Sequence, residues 1–261
     1  MNRLDKFIYK KAAGITALTA SITDFKYKKH SHQEYAIGVT LRGIQHYNLD
    51  GSLQLSYPNG VMLFNPEQAH DGMAHDETGL DYVMLYIDPQ LLLEIVQKKD
   101  LVLFSTPIVY DYRLEQSVLS LANAIISEKD DALCSELLLS LGDSLILANL
   151  SADFREDTTL IRKAKDLIHS DLGNVLKLDE ISKELHLSKY QFIRLFKSNT
   201  GITPYQYFLN CKIERAKELI DKNRDIYSTL AECGFVDLTH LNKHFKSVYG
   251  TTAFEYMTYL N

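Results

Sequence analysis

The 261-residue sequence lacks the features that indicate export or membrane insertion. Its three cysteines, Cys134, Cys211 and Cys233, are an odd number without a Cys-x-x-Cys spacing, which predicts reduced thiols in a cytoplasmic protein. No run approaches the ~20 consecutive apolar residues that a membrane-spanning helix requires. The apolar stretch within Met1–Ala20 is short and contains two threonines, so it does not predict a signal peptide.

The chain also lacks an even distribution of charge between its two parts. Residues 158–261 carry 15 Lys and Arg against 12 Asp and Glu, whereas residues 1–157 carry 13 against 22. An acidic chain with a basic final third is typical of a nucleic-acid-binding region joined to a second domain. Because the basic excess is modest, we expect DNA binding of moderate affinity that weakens as salt rises.

A near-repeat organises the end of the chain. Six of the twelve positions from Phe196 to Tyr207 recur 49 residues later. The shared residues are Phe196, Lys197, Ser198, Gly201, Thr203 and Tyr207 in the first copy, and Phe245, Lys246, Ser247, Gly250, Thr252 and Tyr256 in the second. Self-similarity of this kind predicts one supersecondary unit made twice.

Each copy has the pattern of a helix-turn-helix motif. A short amphipathic segment, Leu178–Leu185 or Ile226–Cys233, precedes a turn and then a helix of about three turns with one apolar stripe. The second helices, 188–199 and 237–249, are predicted to enter two successive major-groove segments of DNA.

Caps and turn residues support the two motifs. Ser188 and Asp237 are suited to the N-cap position, where a side-chain oxygen accepts hydrogen bonds from the first helical amides. Gly234 suits a turn residue with positive φ, and we align it with Leu185 of the first copy.

The second helices of the two motifs, 188–199 and 237–249, are called the reading helices here, and their outward faces carry side chains that can contact DNA. They are Tyr190, Ile193, Arg194 and Lys197 in the first copy, and Thr239, Asn242, Lys243 and Lys246 in the second. We expect Arg194 to contact guanine and Asn242 to contact adenine, since these pairings match donors and acceptors in the major groove. Lys197 and Lys246 are better placed for phosphates. The alternative is an all-α partner-binding domain with ordinary solvated lysines.

Specific motifs connect these elements. They are Arg-Leu-Phe-Lys and Gly-Ile-Thr-Pro-x-x-Tyr within Arg194–Tyr207, Arg215-Ala216, Ala231-x-x-Gly234-Phe235, and Phe245-Lys246 with Gly250. The stretch Leu178–Tyr256 resembles the DNA-binding domain of AraC/XylS-type transcription regulators. The chain departs from that pattern at Ala253, where the second copy usually has proline. The resemblance implies transcription activation and a contact with RNA polymerase.

The first third of the chain has the signals of an all-β fold. Short alternating runs are broken by turn residues; the predicted strands are Ile15–Ile22, Tyr35–Leu41, Gln45–Leu49, Leu53–Leu55, Val61–Phe64 and Leu80–Ile87. Asp50-Gly51 between two runs predicts a hairpin. Many short strands at close spacing indicate a sandwich or barrel of the jelly-roll kind.

Four polar residues are the candidate ligand site of this barrel. His30, His32 and Glu34 alternate along a segment predicted to be extended, which would place them on one side, and His70 follows later. Together with the segment Gly60–His70, these residues resemble a cupin. A cupin-like sensor domain often precedes the DNA-binding domain of AraC-type regulators. We expect the four polar residues to hydrogen-bond a small polar ligand in the barrel mouth. A bound metal and a purely structural role are the alternatives.

Three helices are predicted after the strands: Gln90–Gln97, Arg113–Ser127 and Ala132–Leu150. The last is apolar over most of its circumference and therefore needs burial on more than one side. One side can cover the barrel, and the other, with Arg113–Ser127, is predicted to pair with a second subunit. The alternative is that a single chain covers both sides.

A polar, mixed-charge segment, 151–158, is the predicted linker. It separates a cupin-like ligand-binding and dimerisation domain, 1–150, from a DNA-binding domain, 159–261. A long helix from Pro204 to Ile220 is predicted to join the two helix-turn-helix units. The fold class is thus α+β: a cupin-like β-barrel (jelly roll) with following helices, then an all-α domain.

The sequence predicts a ligand-responsive, sequence-specific DNA-binding transcription regulator in the cytoplasm, without a cofactor. Its expected partners are double-stranded DNA, a small-molecule effector, a second subunit as a homodimer and, by resemblance, RNA polymerase. Two alternatives remain. One is a metal-dependent cupin enzyme fused to a DNA-binding module. The other is a constitutive architectural DNA-binding protein.

Overall fold

The computed structural model describes residues 5–98, 102–148, 151–152 and 159–259. The chain divides into two compact units. The first is formed from residues 1–26 and 32–154, and the second from residues 27–31 and 155–259. The unit of β-strands thus precedes the helical unit, as the α+β prediction requires.

The strands are short and lie mainly in the first ninety residues. They are β1 (Lys6–Ala12), β2 (Ile15–Ile22), β3 (Lys26–His30), β4 (Tyr35–Arg42), β5 (Gln45–Leu49), β6 (Ser52–Ser56), β7 (Val61–Phe64), β8 (His70–Ala74), β9 (Leu80–Ile87), β10 (Leu103–Phe104), β11 (Ile108–Val109) and β12 (Ser151–Ala152). The six predicted strands are confirmed, four with the predicted bounds, whereas β4 and β6 are one or two residues longer than predicted. The strands β1, β3, β8, β10, β11 and β12 were not predicted.

Two antiparallel sheets form most of the first unit. The larger sheet has the order β1-β2-β9-β4-β7-β11, and in the smaller one β8, β5 and β6 are neighbours in that order. Residues of β4 pair with β9 from Tyr35↔Ile87 onward and with β7 from Ala36↔Phe64 onward. Sequence neighbours are thus often separated in the sheet, as in jelly rolls.

Two-residue turns connect two of the strand pairs. The predicted hairpin is confirmed: Leu49 pairs with Ser52, and Asp50 and Gly51 between them have φ of 49° and 81°. A similar turn joins β1 to β2, because Ala12 pairs with Ile15. The apolar stretch near the start of the chain is therefore an element of the larger sheet.

Helices cover one face of the larger sheet. They are α1 (Pro89–Ile95), α2 (Tyr112–Ile126) and α3 (Asp131–Leu147). Strand and helix residues share one buried cluster, which includes Ile37, Val39 and Leu85 from the strands and Leu114, Val118, Leu121, Leu138 and Leu141 from the helices. Each fully buried aliphatic side chain of this kind contributes about 1.5–3 kcal/mol.

The second unit contains helices. They are α4 (Thr159–His169), α5 (Leu178–Glu184), α6 (Lys189–Thr200), α7 (Pro204–Asn223), α8 (Ile226–Glu232), α9 (Leu238–Tyr249) and α10 (Ala253–Tyr259). The connecting helix α7 has 20 residues, a turn longer than predicted, and ends where Arg224 adopts a left-handed conformation. None of the described helices combines the length and apolar character needed to cross a membrane.

The predicted linker, residues 151–158, starts with the last short strand and ends directly before α4. Ser151–Ala152 pairs with Leu103–Phe104 as a two-stranded ladder, so the chain at these two residues is part of a sheet. The rest of the predicted linker, residues 153–158, lies outside the described residues.

Candidate nucleic-acid interface and ligand site

The first helix-turn-helix module consists of α5 and α6. At the end of α5, the N–H of Leu187 donates to the carbonyl of Ser182 at 2.8 Å, which closes the last turn of the helix. α6 begins after Ser188, whose Oγ accepts from the Gln191 N–H while the Gln191 side chain accepts from the Ser188 N–H. The predicted cap is confirmed as a reciprocal capping box.

The second module, α8 and α9, repeats these features. The N–H of Phe235 donates to the carbonyl of Leu230 at 3.1 Å, with the same five-residue span as in the first module. The side chain of Asp237 accepts from the His240 N–H at 2.7 Å, which confirms it as the N-cap. Both second helices are 12 residues long.

The turns of the two modules differ by one residue. Two residues separate the C-cap of α5 from the N-cap of α6, and three separate the corresponding caps of α8 and α9. The residue directly after the C-cap has positive φ in both, 55° at His186 and 61° at Gly234. The alignment of Gly234 with Leu185 is therefore wrong, because the extra residue makes His186 the counterpart.

Duplicated aromatic pairs fix the second helix of each module. The rings of Phe196 and Tyr207 have centroids 5.3 Å apart, and those of Phe245 and Tyr256 are 5.4 Å apart. All four side chains are buried. Because equivalent rings hold each helix against the element that follows it, α6 and α9 turn equivalent faces outward.

The outward face of α6 carries most of the side chains expected there. Tyr190 is 73% exposed, Arg194 and Lys197 are exposed, and Ile193 is half-buried. Within the described part of the chain, neither Arg194 nor Lys197 forms an ion pair. Lys189 at the start of α6 does, with Asp179 at 2.7 Å. The two cations farther along are thus available to an external anion.

The outward face of α9 is similar, with one difference. Thr239, Lys243 and Lys246 are exposed. Asn242 is half-buried, and its Oδ1 accepts a hydrogen bond from the Ala253 N–H at 3.1 Å. Recognition of adenine by Asn242 stays a prediction, and in this structure its carboxamide oxygen accepts a hydrogen bond from the first turn of α10.

Two further features of the modules were not predicted from the sequence. Lys212 of α7 is buried, and its Nζ donates to the carbonyls of Gly234 at 3.1 Å and Asn174 at 3.3 Å. Burial lowers the pKa of the Lys212 ammonium. His240 and His244 on α9 have ring centroids 4.8 Å apart, and burial together with the His240 neighbour lowers the pKa of His244. Only the four-residue histidine spacing was visible as a signal.

In the first unit, the side chains of His32 and His70 lie close to each other and to two aromatic rings. Their ring centroids are 5.4 Å apart, with Phe64 4.4 Å from His70 and Tyr86 5.1 Å from His32. Both imidazoles are buried, and Glu34 is half-buried. The Nδ1–H of His70 donates to the Gln68 carbonyl at 2.8 Å, so Nε2 is its acceptor nitrogen.

The predicted extended segment is interrupted after His30. β3 ends at His30, and the chain bends at Gln33 and Glu34 before β4 begins. Strand alternation therefore does not place His30, His32 and Glu34 on one side. His30 belongs to the short segment 27–31 that groups with the second unit, and its Nδ1–H donates to the Lys28 carbonyl at 2.6 Å.

Burial of His70 gives a testable dependence of stability on pH. Burial and the neighbouring His32 lower the pKa of His70 from 6.5 to about 3. Below pH 6.5, His70 binds a proton in the unfolded chain but not in the folded chain. The contribution of neutral His70 to the free energy of unfolding is therefore present above pH 6.5 and is lost as pH falls toward 3. We expect the free energy of unfolding to fall by about 1.4 kcal/mol per pH unit in that window.

The measurement is denaturant unfolding of the full chain at pH 7, 6 and 5, beside His70→Phe. The variant is expected to be less stable at pH 7, since the Gln68 carbonyl loses its donor, but to lose about 2 kcal/mol less stability between pH 7 and 5. Parallel pH dependences for the two proteins would contradict the buried neutral imidazole.

A cleft of about 170 Å³ is lined in part by Gln68, the residue whose carbonyl accepts from His70. Its lining includes Asp50, Gln54, Leu63 and Phe104. Pockets that enclose drug-sized ligands have volumes of ~300–1,000 Å³. The cleft is too small for such an effector, and the His32–His70 cluster stays the better candidate.

Comparison with known families assigns both units. Residues 12–142 match the family described as AraC-like ligand binding domain, and residues 181–258 match a helix-turn-helix domain family. The HTH-type transcriptional regulator YbfI of Bacillus subtilis is 27% identical over 83% of this chain and 82% of its own length. The probable transcriptional regulator LumQ of Photobacterium leiognathi is 26% identical over 90% and 94%.

Solved structures agree with these matches at the level of fold. Apo ToxT K231A from Vibrio cholerae superposes with a TM-score of 0.64 at 15% identity, covering 95% of this chain and 98% of that one. Wild-type ToxT with a bound unsaturated fatty acid gives a TM-score of 0.63 at 16% identity, covering 100% and 98%. With its sensor unit and paired helix-turn-helix modules, the chain belongs to the AraC family of transcription regulators.

Proposed function

We propose that this regulator binds two successive major-groove segments of one DNA site with α6 and α9. The observation that carries the proposal is the duplication: two helices of equal length, each with a side-chain N-cap and an equivalent aromatic pair, present two exposed cationic faces. A connecting helix of 20 residues spans about 30 Å at 1.5 Å per residue. This length is close to the ~34 Å of one duplex turn that separates successive major-groove segments.

Individual contacts follow from side-chain chemistry. Arg194 is suited to bidentate contact with guanine, and Tyr190 and Ile193 to thymine methyls or sugars. In the second module, Thr239 and Lys243 are the exposed residues suited to base edges. Lys197 and Lys246 lie one turn farther along their helices and are suited to phosphates, which fix the register without reading sequence.

Substitution of Arg194 and Lys246 separates base reading from phosphate binding. Arg194→Ala is expected to cost about 1–3 kcal/mol on the best site and to relax preference at one base pair. Lys246→Ala is expected to weaken all sites alike and to reduce the slope of log affinity against log salt by about one.

The measurement is equilibrium binding of each full-length variant to a duplex selected from a random library and to its single-base variants. The exposed Lys183 on α5 supplies a control, since Lys183→Ala removes the same charge outside both reading helices. Unchanged affinity and base preference in Arg194→Ala would contradict the groove assignment.

The first unit is proposed to bind the effector, with His32, Glu34 and His70 as polar contacts and Phe64 and Tyr86 as walls. Two buried imidazoles surrounded by aromatic rings favour a ligand that is partly apolar and can hydrogen-bond. The unsaturated fatty acid bound by ToxT is one such molecule. A thermal-shift screen of fatty acids, sugars and amino acids, followed by DNA binding with any hit, tests this assignment, since an effector must favour one state over another.

Other parts of the proposal concern organisation and partners. We assign ligand binding to residues 1–150 and DNA binding to 159–261, with 151–158 between them. α3 exposes Leu133, Leu139, Ile146 and Leu147, which suits a homodimer contact, and sedimentation at micromolar concentration tests it. Activation through RNA polymerase in the cytoplasm completes the proposal. The relatives named above are described as regulators, so a cupin enzyme has no support from them.

A further inference from the structure

Each reading helix is followed by a helix that starts in the same way. Thr203 caps α7, with its side chain accepting from the Gln206 N–H and the Gln206 side chain accepting from the Thr203 N–H. Thr252 and Glu255 make the same reciprocal pair at the start of α10, at 2.8 and 3.2 Å. The two modules therefore share a capping box at this point.

The first residue inside the two helices differs. α7 starts with Pro204, which has no N–H, whereas α10 starts with Ala253, which is 0% exposed and has one. The first N–H of a helix has no partner within that helix, so a buried one needs an acceptor from elsewhere. In α10 that acceptor is Oδ1 of Asn242, at 3.1 Å.

The two copies of the repeat can be compared at these two positions. A shift of 49 residues places Asn242 on Ile193 and Ala253 on Pro204. Where proline removes the N–H, the reading helix carries an isoleucine that cannot accept a hydrogen bond. Where alanine leaves the N–H in place, the reading helix carries the acceptor. The two positions thus vary together in the way that hydrogen-bond satisfaction requires.

We propose that Asn242 is a positioning residue, which holds α10 against α9 in place of a proline, and that Thr239 and Lys243 carry the base preference of the second module. The proposal rests on the proposed function of α9 as a reading helix. Adenine recognition by asparagine needs both its oxygen and its nitrogen at the base edge. Here the oxygen is directed to the Ala253 N–H, inside the module.

A double-mutant cycle on the full-length chain tests the pairing without DNA. Asn242→Ile leaves a buried N–H without an acceptor and is expected to lower the melting temperature by about 4–8 °C. The double variant Asn242→Ile with Ala253→Pro reproduces the pair of the first module and is expected to recover most of that loss. Losses that simply add in the double variant would overturn the pairing.

A second measurement separates positioning from reading. Asn242→Ala and Lys243→Ala are compared on a selected duplex and on its complete set of single-base variants. We expect Asn242→Ala to weaken every duplex by a similar factor, and Lys243→Ala to relax preference at one position. Relaxed preference at one base pair in Asn242→Ala would overturn the proposal.

The two measurements also separate this proposal from the proposed function. If Lys243→Ala and Arg194→Ala leave DNA binding unchanged, α6 and α9 do not read DNA, whatever the melting temperatures show. If these variants lose binding while the melting cycle is additive, the reading helices are correct and the role of Asn242 is wrong.

Discussion

Phe245→Ala is expected to lower the free energy of unfolding of the second unit by about 3–5 kcal/mol, the usual cost of deleting a fully buried phenylalanine. The ring is 0% exposed and lies 4.7 Å from the ring of Tyr249 and 5.4 Å from that of Tyr256. Alanine would leave a cavity between α9 and α10 that these rigid aromatic neighbours cannot fill. Such a loss is a large fraction of the stability of a small domain.

Denaturant unfolding followed by far-ultraviolet circular dichroism measures this loss. Phe196→Ala is the matched substitution in the first module, where the ring is equally buried against Phe192 and Tyr207, and a loss of similar size is expected. Phe254→Ala, at a ring that is 56% exposed, is the control and should cost far less. Equal losses at Phe245 and Phe254 would contradict the duplicated core.

Gly234→Ala is expected to destabilise the second unit by about 3 kcal/mol, since two costs combine. A residue with a side chain pays about 1–2 kcal/mol for the left-handed conformation at φ 61°. A Cβ at this position would also lie 1.9 Å from the carbonyl oxygen of Gly173, and relieving such an overlap costs about 1–3 kcal/mol.

A control substitution separates the cost of the overlap with Gly173 from the cost of the left-handed backbone conformation. Gly51 has φ of 81°, but a Cβ there meets nothing within 4 Å, so Gly51→Ala is expected to lose only about 1–2 kcal/mol. Urea unfolding of both variants gives the comparison. If the two losses are the same, the close approach of Gly173 does not constrain the second turn.

Much of this fold was predictable because local signals agreed with the final packing. Gln45–Leu49, Val61–Phe64 and Leu80–Ile87 were predicted with the bounds that the structure has, since turn residues flank each apolar run. The two reading helices were predictable for the same reason: a capping residue, an apolar stripe and a following glycine all indicate the same ends. The exposed positions of Arg194 and Lys243 follow from that periodicity.

The missed elements lack such signals. β3, with three lysines and a tyrosine before His30, has no apolar alternation, and β8 contains a glycine and an aspartate. The bend after His32 was invisible because histidine, glutamine and glutamate neither favour nor forbid a strand strongly. The hydrogen bond of Asn242 joins residues eleven apart across a turn, which no local pattern reports.

The unequal turns of the two modules limit how this regulator can be re-engineered. Because the capping residues and the aromatic rings correspond, a transplant of α6 residues onto the α9 scaffold keeps its frame if it starts at the N-cap. A transplant that begins one element earlier is out of frame by one residue and lacks the glycine that faces Gly173. New DNA specificities are therefore best introduced by grafting single helices between their caps.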